Sequence, residues 1–249
     1  RVDIPKEGGK IRQLGIPTVV DRLVQQSISQ VLSPIYEQEF HPSSHGFRPN
    51  KSCHTALQEV INHLDERYHY VVDLDLEKFF DTVNHSKLIE ILSKKVKDPQ
   101  VISLIHKYLN AGVVIGNKFE ESRLGVPQGG PLSPLLSNIM LNELDNELER
   151  RGLRFVRYAD DCLIFCKSER ACFRVQESIT RFIEEVLYLR VNKEKTTNGH
   201  VKGKKFLGHS LSVKSKGKWN LCVHPKSYSK LKDKLRELTK RSSGKGYDI

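Results

Sequence analysis

The segment that decides the fold is Leu153-Arg154-Phe155-Val156-Arg157-Tyr158-Ala159-Asp160-Asp161-Cys162-Leu163-Ile164-Phe165, in which two adjacent acids separate two apolar runs. This pattern predicts a strand, a tight turn and a second strand, with both carboxylates at the hairpin tip. Two acids in an apolar hairpin are costly unless a cation neutralises them, and carboxylate oxygens suit Mg²⁺. The alternative is an ordinary Asp-containing turn without a metal, because turns favour Asp.

A second acidic segment lies upstream, at Val71-Val72-Asp73-Leu74-Asp75-Leu76-Glu77-Lys78-Phe79-Phe80-Asp81. Its alternation predicts a strand near 70–77 with Asp73 and Asp75 on one face. We predict that Asp75 joins Asp160 and Asp161 in a carboxylate cage for two metal ions, which can clamp the attacking and leaving oxygens of a phosphoryl transfer. For Asp73 we expect solvent exposure or a local hydrogen bond instead.

Several features resemble, in chain order, consecutive polymerase motifs of the reverse transcriptases. They are Asp75 with Phe80, the segment Gly125-Val126-Pro127-Gln128-Gly129-Gly130-Pro131-Leu132-Ser133-Pro134, and Tyr158-Ala159-Asp160-Asp161. Further blocks are similar to those of the group II intron-encoded reverse transcriptases, also called maturases, at 45–50, 135–145, 193–196 and 206–208. The resemblance covers nearly the whole chain and implies an RNA-directed DNA polymerase.

The resemblance also implies the architecture. We expect an α+β fold with the fingers and palm of a right-hand polymerase, the antiparallel palm sheet being packed on helices. The expected division is 1–70 fingers, 71–90 palm with the first metal aspartate, 91–124 fingers insertion, 125–224 palm and 225–249 the start of a truncated thumb. The chain begins at Arg1 and has a polar tail, so we expect an excised fragment with the thumb largely absent.

In this family, particular residues bind the incoming nucleotide. The resemblance places Lys10 and Arg12 at the triphosphate, where a solvated basic face is the alternative. It places Gln128 at the nucleotide, where a Gly/Pro turn entering a helix is the alternative. It places Phe80 under the sugar, where an aromatic ring excludes a 2′ hydroxyl, whereas core packing is the alternative. Lys195 would lie near the pyrophosphate as a general acid, unless it is simply solvated.

The charge predicts a polyanionic partner. The chain has 249 residues and a formal net charge of +11, and nucleic acid is the leading partner of so basic a surface. The candidate contacts are Arg48, Lys51, Arg123, Lys204 and Lys205, although each lysine taken alone is as well explained as a solvated charge. Basic residues are densest at 202–218, and Trp219 could add base stacking.

Composition excludes other classes. No run approaches the roughly 20 apolar residues of a membrane span. The five cysteines form no C-x-x-C pair, so we expect free thiols in the cytoplasm and neither a disulfide framework nor a zinc site. The expected partners are an intron RNA template, a nucleic-acid primer and dNTPs, without a membrane; self-association is left open.

Two other functions stay open. The chain could serve mainly as an RNA-binding splicing cofactor, or it could be another bacterial reverse transcriptase, defence-associated or retron-like.

For the local structure, we predict a hairpin over 1–17 and a helix from about Thr18 that ends near Ser33 because Pro34 follows. That helix would bury one face: Leu23, Val24, Ile28, Val31 and Leu32.

Overall fold

The computed structural model describes residues 2–5, 11–115, 118–121, 123–213 and 218–240. The strands are β1 (Val2–Pro5), β2 (Ile11–Leu14), β3 (Tyr70–Leu74), β4 (Val113–Ile115), β5 (Lys118–Glu120), β6 (Arg154–Tyr158), β7 (Asp161–Cys166), β8 (Thr197–His200), β9 (Lys205–Phe206), β10 (His209–Val213) and β11 (Trp219–Val223). The helices are α1 (Val19–Glu37), α2 (Cys53–Asp65), α3 (Phe79–Thr82), α4 (His85–Lys95), α5 (Pro99–Leu109), α6 (Ser133–Arg150), α7 (Glu169–Glu185) and α8 (Pro225–Leu238).

A four-stranded antiparallel sheet in the order β6-β7-β3-β8 forms the centre of the molecule. Its register opposes Tyr158 to Asp161 across the hairpin and Asp73 to Leu163 in the neighbouring strand. Because side chains alternate between the faces of a strand, this register puts Asp73 and Asp161 on the same face. The predicted hairpin is confirmed, whereas Asp75 follows the end of β3, so the predicted shared face of Asp73 and Asp75 stays a prediction.

The two faces of the sheet are covered differently. Val72 and Ile164 face a large core formed with α4, α5, α6 and α7. Val71 and Phe165 face a smaller core formed with α2 and with the three-stranded sheet β9-β10-β11. Both faces are therefore dry, and the α+β class with an antiparallel sheet packed on helices is confirmed.

Helix α1 departs from the prediction. It runs through Pro34 to Glu37, because Leu32 and Tyr36 pack into the large core and hold the last turn in place. The predicted inner face is only partly right. Leu32 is buried and Ile28 packs against the large core, but Leu23 is 69% exposed and Val31 is 67% exposed, whereas Gln25 is buried. Periodicity finds a helix, but the buried side depends on which neighbours cover it.

Other predicted ends of strands agree only in part with the structure. The hairpin near the N-terminus is confirmed by the pairing of β1 with β2, although its Gly8-Gly9 turn lies outside the described residues. The predicted strand near 70–77 ends at Leu74 as β3, and a left-handed Lys78 (φ 45°) then starts the short helix α3. After helix α7, the next strand, β8, begins only at Thr197.

Among the helices of the described residues, none combines the length and the apolar character that a membrane crossing requires. All five cysteines are free thiols, as predicted. Three of these are buried, whereas Cys53 is half-buried and Cys222 is exposed.

Candidate active site

The acidic turn joins β6 to β7 with only Ala159 and Asp160 between the paired residues. Ala159 has φ 57°, in the left-handed region that alanine rarely adopts. Such a conformation costs on the order of 1–3 kcal/mol and persists only where the surroundings hold it. The turn therefore needs support from the rest of the fold.

A buried ion-pair network supplies this support. Arg157 donates through Nε and Nη2 to the two carboxylate oxygens of Asp145, at 2.8 and 2.5 Å. Its Nη1 donates to Asn138 Oδ1 at 3.0 Å and to the carbonyl of Ala159 at 2.9 Å. Our sequence reasoning missed this network. The sequence does contain an indication of a buried ion pair: Arg157 lies inside an apolar strand, and an aspartate, Asp145, lies in the block 135–145.

The block 45–50 supports the same turn from the other side. Asn138 Nδ2 donates to the carbonyl of Gly46 at 2.8 Å, and the His45 amide donates to the carbonyl of Arg157 at 2.8 Å. A Cβ at Gly46 would lie 2.2 Å from the amide nitrogen of Ala159, so only glycine allows this approach. The close packing fixes the turn against the loop before α2.

Arg48 belongs to this support, which corrects the prediction that it contacts nucleic acid. Its side chain is only 6% exposed and pairs with Glu37 at 2.6 Å. Its Nη1 donates to the carbonyls of His41 and Ser44 at 2.6 and 2.8 Å, and the guanidinium lies over the Phe40 ring. Its hydrogen-bond donors are therefore engaged within the protein.

Four carboxylates meet beside the turn. Burial of its carboxyl group raises the pKa of Asp161 to about 6, and the nearby charges of Asp160, Asp73 and Asp75 add to this effect. Asp161 as a residue is exposed to solvent at the end of the hairpin. The pKa of Asp73 is also raised, mainly by burial, with the charge of Lys204 opposing the shift. Asp73 thus lies within the acidic group, and the expectation that it faces solvent is wrong.

Lys195 reaches the same place. Its Nζ lies 3.2 Å from both carboxylate oxygens of Asp75. The turn that carries it is held against the end of β3, because the Asn192 amide donates to the carbonyl of Asp75 at 2.9 Å. The amide of Asp75 in turn donates to Thr196 Oγ1 at 3.1 Å. The block 193–196 is therefore fixed beside the acids.

The group of four carboxylates is suited to bind a divalent cation, both because of its oxygen ligands and because its negative charges repel one another. Carboxylate oxygens are the ligands that hard divalent ions prefer, and close like charges are relieved when a cation binds between them. Within the described ranges, no three acidic, histidine or cysteine side chains already stand in a ligand arrangement. Asp75 is instead paired with Lys195.

Phe80 is joined to the loop that begins at Gly125. Its half-buried ring packs edge-on against buried Phe79, with centroids 5.3 Å apart, and its carbonyl accepts from the Val126 amide at 2.6 Å. Gly125 has φ 89°, and a Cβ there would lie 2.8 Å from the Phe80 carbonyl oxygen. Phe79 is a core residue, and Phe80 lies between the core and the loop.

The loop is also held from the N-terminal side. The carbonyl of Gln128 accepts from the Gly15 amide at 2.7 Å, just after β2. At Gly130, a Cβ would lie 2.2 Å from Oε1 of the buried Gln25 in α1. The segment after β2 and α1 therefore fix the position of the loop.

The structure describes only part of the two basic residues that were predicted to contact the triphosphate. Lys10 lies outside the described residues. The backbone of Arg12 pairs with Ile4 in the β1-β2 hairpin, while its side chain is outside the description. Their roles stay predictions.

The remaining basic candidates differ in setting. Lys51 donates to the carbonyl of Pro42 at 2.7 Å, and exposed Arg123 pairs with Glu121 at 3.1 Å. The Lys204 ammonium donates to Thr197 Oγ1 at 2.5 Å, next to the strand that carries Asp73. Lys205 is exposed on β9.

Comparisons with known proteins agree with this geometry. Residues 4–211 match the family described as reverse transcriptase (RNA-dependent DNA polymerase). Protein YkfC of Escherichia coli is 36% identical over 250 residues, covering 85% of this chain and 66% of that protein. The group II intron-encoded protein LtrA of Lactococcus lactis is 31% identical over 277 residues, covering 85% of this chain and 46% of that protein.

A solved structure shows the fold at lower identity. Telomerase from Candida tropicalis, in complex with a fragment of telomeric RNA, aligns with a TM-score of 0.62 at 16% identity. The alignment covers 82% of this chain and 37% of telomerase. With acids, loop and sheet in the expected order and place, the chain belongs to the reverse transcriptase (RNA-dependent DNA polymerase) family.

Proposed function

We propose that this domain extends the 3′ end of a nucleic-acid primer with dNTPs on an RNA template. The observation that carries the proposal is the grouping of Asp75, Asp160 and Asp161 at one end of the central sheet. Acids that repel one another inside a supported turn are arranged to hold cations, since nothing in the packing requires them.

In this proposal Asp75 and Asp160 hold two Mg²⁺ ions, with Asp161 beside them. When bound, such ions favour ionisation of the primer hydroxyl and neutralise charge on the leaving pyrophosphate. The buried network around Arg157 keeps Asp160 in place during the reaction. Lys195, which now pairs with Asp75, would protonate the leaving group once released from that pair.

The nucleotide is positioned by the elements around the loop. Lys10 and Arg12 contact the triphosphate, and the planar guanidinium of arginine suits bidentate phosphate binding. Gln128 bonds to the sugar or base, and the Phe80 ring occupies the space that a 2′ hydroxyl would need. Positioning of this kind accounts for much of the rate of phosphoryl transfer.

The template and primer are held mainly by charge. Lys51, Arg123, Lys204 and Lys205 contact phosphates, which position a strand without reading its sequence. Residues 1–70 and 91–124 form the fingers, 71–90 and 125–224 form the palm, and 225–249 begins the thumb. The protein acts in the cytoplasm.

Similarity to LtrA supports a further part of the proposal, namely binding of an intron RNA for splicing and retrohoming. The chain spans 46% of the length of that relative and 66% of the length of YkfC. Splicing and retrohoming, which are activities of a whole protein, are therefore proposals for this chain. An RNA-binding splicing cofactor, or another bacterial reverse transcriptase, is the alternative.

Primer extension on an RNA template tests the first part, with dNTPs compared with rNTPs and Mg²⁺ compared with a chelator. We expect Mg²⁺-dependent extension with dNTPs; no extension by a folded protein that binds RNA would favour the cofactor role. Affinity for a group II intron transcript, compared with shuffled RNA of equal length, tests the second part. Equal affinities would favour another class of reverse transcriptase.

A further inference from the structure

A second feature of the sheet is a cluster of aromatic rings away from the acids. The ring of Trp219 lies 5.3 Å from that of His69 and 6.1 Å from that of His200, measured between centroids. Tyr70 meets His200 edge-on at 5.5 Å. These side chains come from the start of β11, from β3 with the residue before it, and from the end of β8, so the cluster joins the central sheet to the three-stranded sheet.

The cluster is separate from the active site. Tyr70 pairs with His200 at one end of β3, whereas Asp75 follows the other end of that strand. Five residues of extended chain span about 17 Å. A nucleotide bound at the acids therefore does not reach these rings, although a longer strand that leaves the active site could.

The surroundings of the rings suit a nucleic acid. His200 is exposed and Trp219 is half-buried, so part of this aromatic surface faces solvent. Two exposed lysines are close in sequence to the rings: Lys218 precedes Trp219, and Lys202, whose backbone amide donates to Nδ1 of His200 at 3.1 Å, is two residues after His200. Aromatic rings next to cations are the combination that binds single-stranded nucleic acid, by base stacking and phosphate contact.

We propose that Trp219 and His200, backed by His69 and flanked by Lys202 and Lys218, form a stacking site for unpaired bases of single-stranded RNA. The choice of RNA rests on the proposed function, whereas the site itself rests on the rings and the lysines. The site adds a contact for a strand that extends beyond the polymerase centre. It holds RNA without contributing to chemistry.

Trp219 is the only tryptophan of the chain, so its fluorescence reports on this site alone. We expect single-stranded RNA to quench that fluorescence as binding saturates, with saturation followed independently by anisotropy of labelled RNA. A blunt RNA duplex of the same length should bind through charge but quench much less, because its bases are stacked internally. Saturation with single-stranded RNA without quenching, or equal quenching by the duplex, would overturn the proposal.

Variants give a second, independent test. Trp219→Ala and His200→Ala should each weaken single-stranded RNA binding by about tenfold, whereas Trp219→Phe should keep most of the affinity. Lys107→Ala, which removes an exposed lysine of α5, is the matched control and should have no effect. If Trp219→Ala does not fold, the RNA affinities of His200→Ala and Trp219→Phe still test the site. Unchanged affinity in folded His200→Ala and Trp219→Ala would refute the site.

Failure of this proposal is distinguishable from failure of the proposed function. Primer extension on a short template that ends near the acids should be unaffected by His200→Ala. Extension without quenching would refute only the stacking site. Quenching without any extension would refute only the polymerase proposal.

Discussion

Nζ of Lys195 lies 3.2 Å from both carboxylate oxygens of Asp75, so the two residues form an ion pair within the acidic group. The ammonium therefore occupies a place where a metal cation would also be attracted. In the proposed reaction, binding of metal and nucleotide would move this lysine off Asp75, and the leaving pyrophosphate would offer it a new anionic partner.

We predict that Lys195→Ala strengthens binding of divalent metal in the absence of nucleotide but lowers the rate of extension by about 10²-fold, the usual size of a general-acid effect. Metal titration and single-turnover extension measure the two effects. Lys193→Ala, in the same turn and also exposed, is the control and should change neither. Weaker metal binding in Lys195→Ala would contradict the competition that we infer.

The pH dependence of stability tests the crowding of the acids. The pKa of Asp161 is raised from 3.8 to about 6, so folding favours its protonated form. Its contribution to stability is then full at low pH and is lost as pH rises through about 6. In metal-free protein, Asp161→Asn should therefore raise the melting temperature relative to wild type, by an amount that grows between about pH 4 and pH 6 and then levels off. A difference that does not vary with pH would show that Asp161 is not crowded.

The buried pair of Arg157 and Asp145 gives a prediction about folding. Arg157→Met should lower the free energy of unfolding by about 3–5 kcal/mol, because it leaves Asp145 charged and buried without a partner. Arg154→Ala, on the same strand but exposed and 4.0 Å from Glu66, is the control and should cost less than about 1 kcal/mol. Urea unfolding measures both variants. Equal effects would show that the network does not support the turn.

Phe80 tests discrimination between sugars. We predict that Phe80→Ala raises the ratio of kcat/KM for ribonucleotides to that for deoxyribonucleotides, because it removes the ring from the space of the 2′ hydroxyl. Phe79→Leu is the control: since Phe79 is buried in the core, its loss should lower both values together. A ratio that stays constant in folded Phe80→Ala would mean that the ring only packs.

Local patterns predicted the features that depend on neighbours in sequence. Alternation of apolar residues on both sides of Asp160 predicted the hairpin, and alternation at 71–76 predicted the strand that carries Asp73, since both follow from backbone geometry. The helix starts at Ser52 and at Asp98 were also predictable, because each side chain caps the amides that follow it.

Features that depend on distant partners were not predictable in this way. The sequence suggested that Arg48 binds phosphate, whereas in the structure it pairs with Glu37. No sequence pattern indicates that these two residues are partners. The outer face of α1 looked like core, because periodicity does not tell which side is covered. The partners of Arg157 lie in helix α6, so the sequence indicates a buried arginine in a strand but not which residues it pairs with under the acidic turn.

The most direct test of the central claim is Asp160→Asn, assayed for primer extension on an RNA template with dNTPs and Mg²⁺ and, in parallel, for RNA affinity. The substitution keeps the size of the side chain and removes the charge that is proposed to hold metal. Extension should be abolished while RNA affinity and circular dichroism stay as in wild type, because binding depends on the basic surface. Extension at the wild-type rate by the variant, or joint loss of extension and RNA binding in a folded protein, would contradict the account.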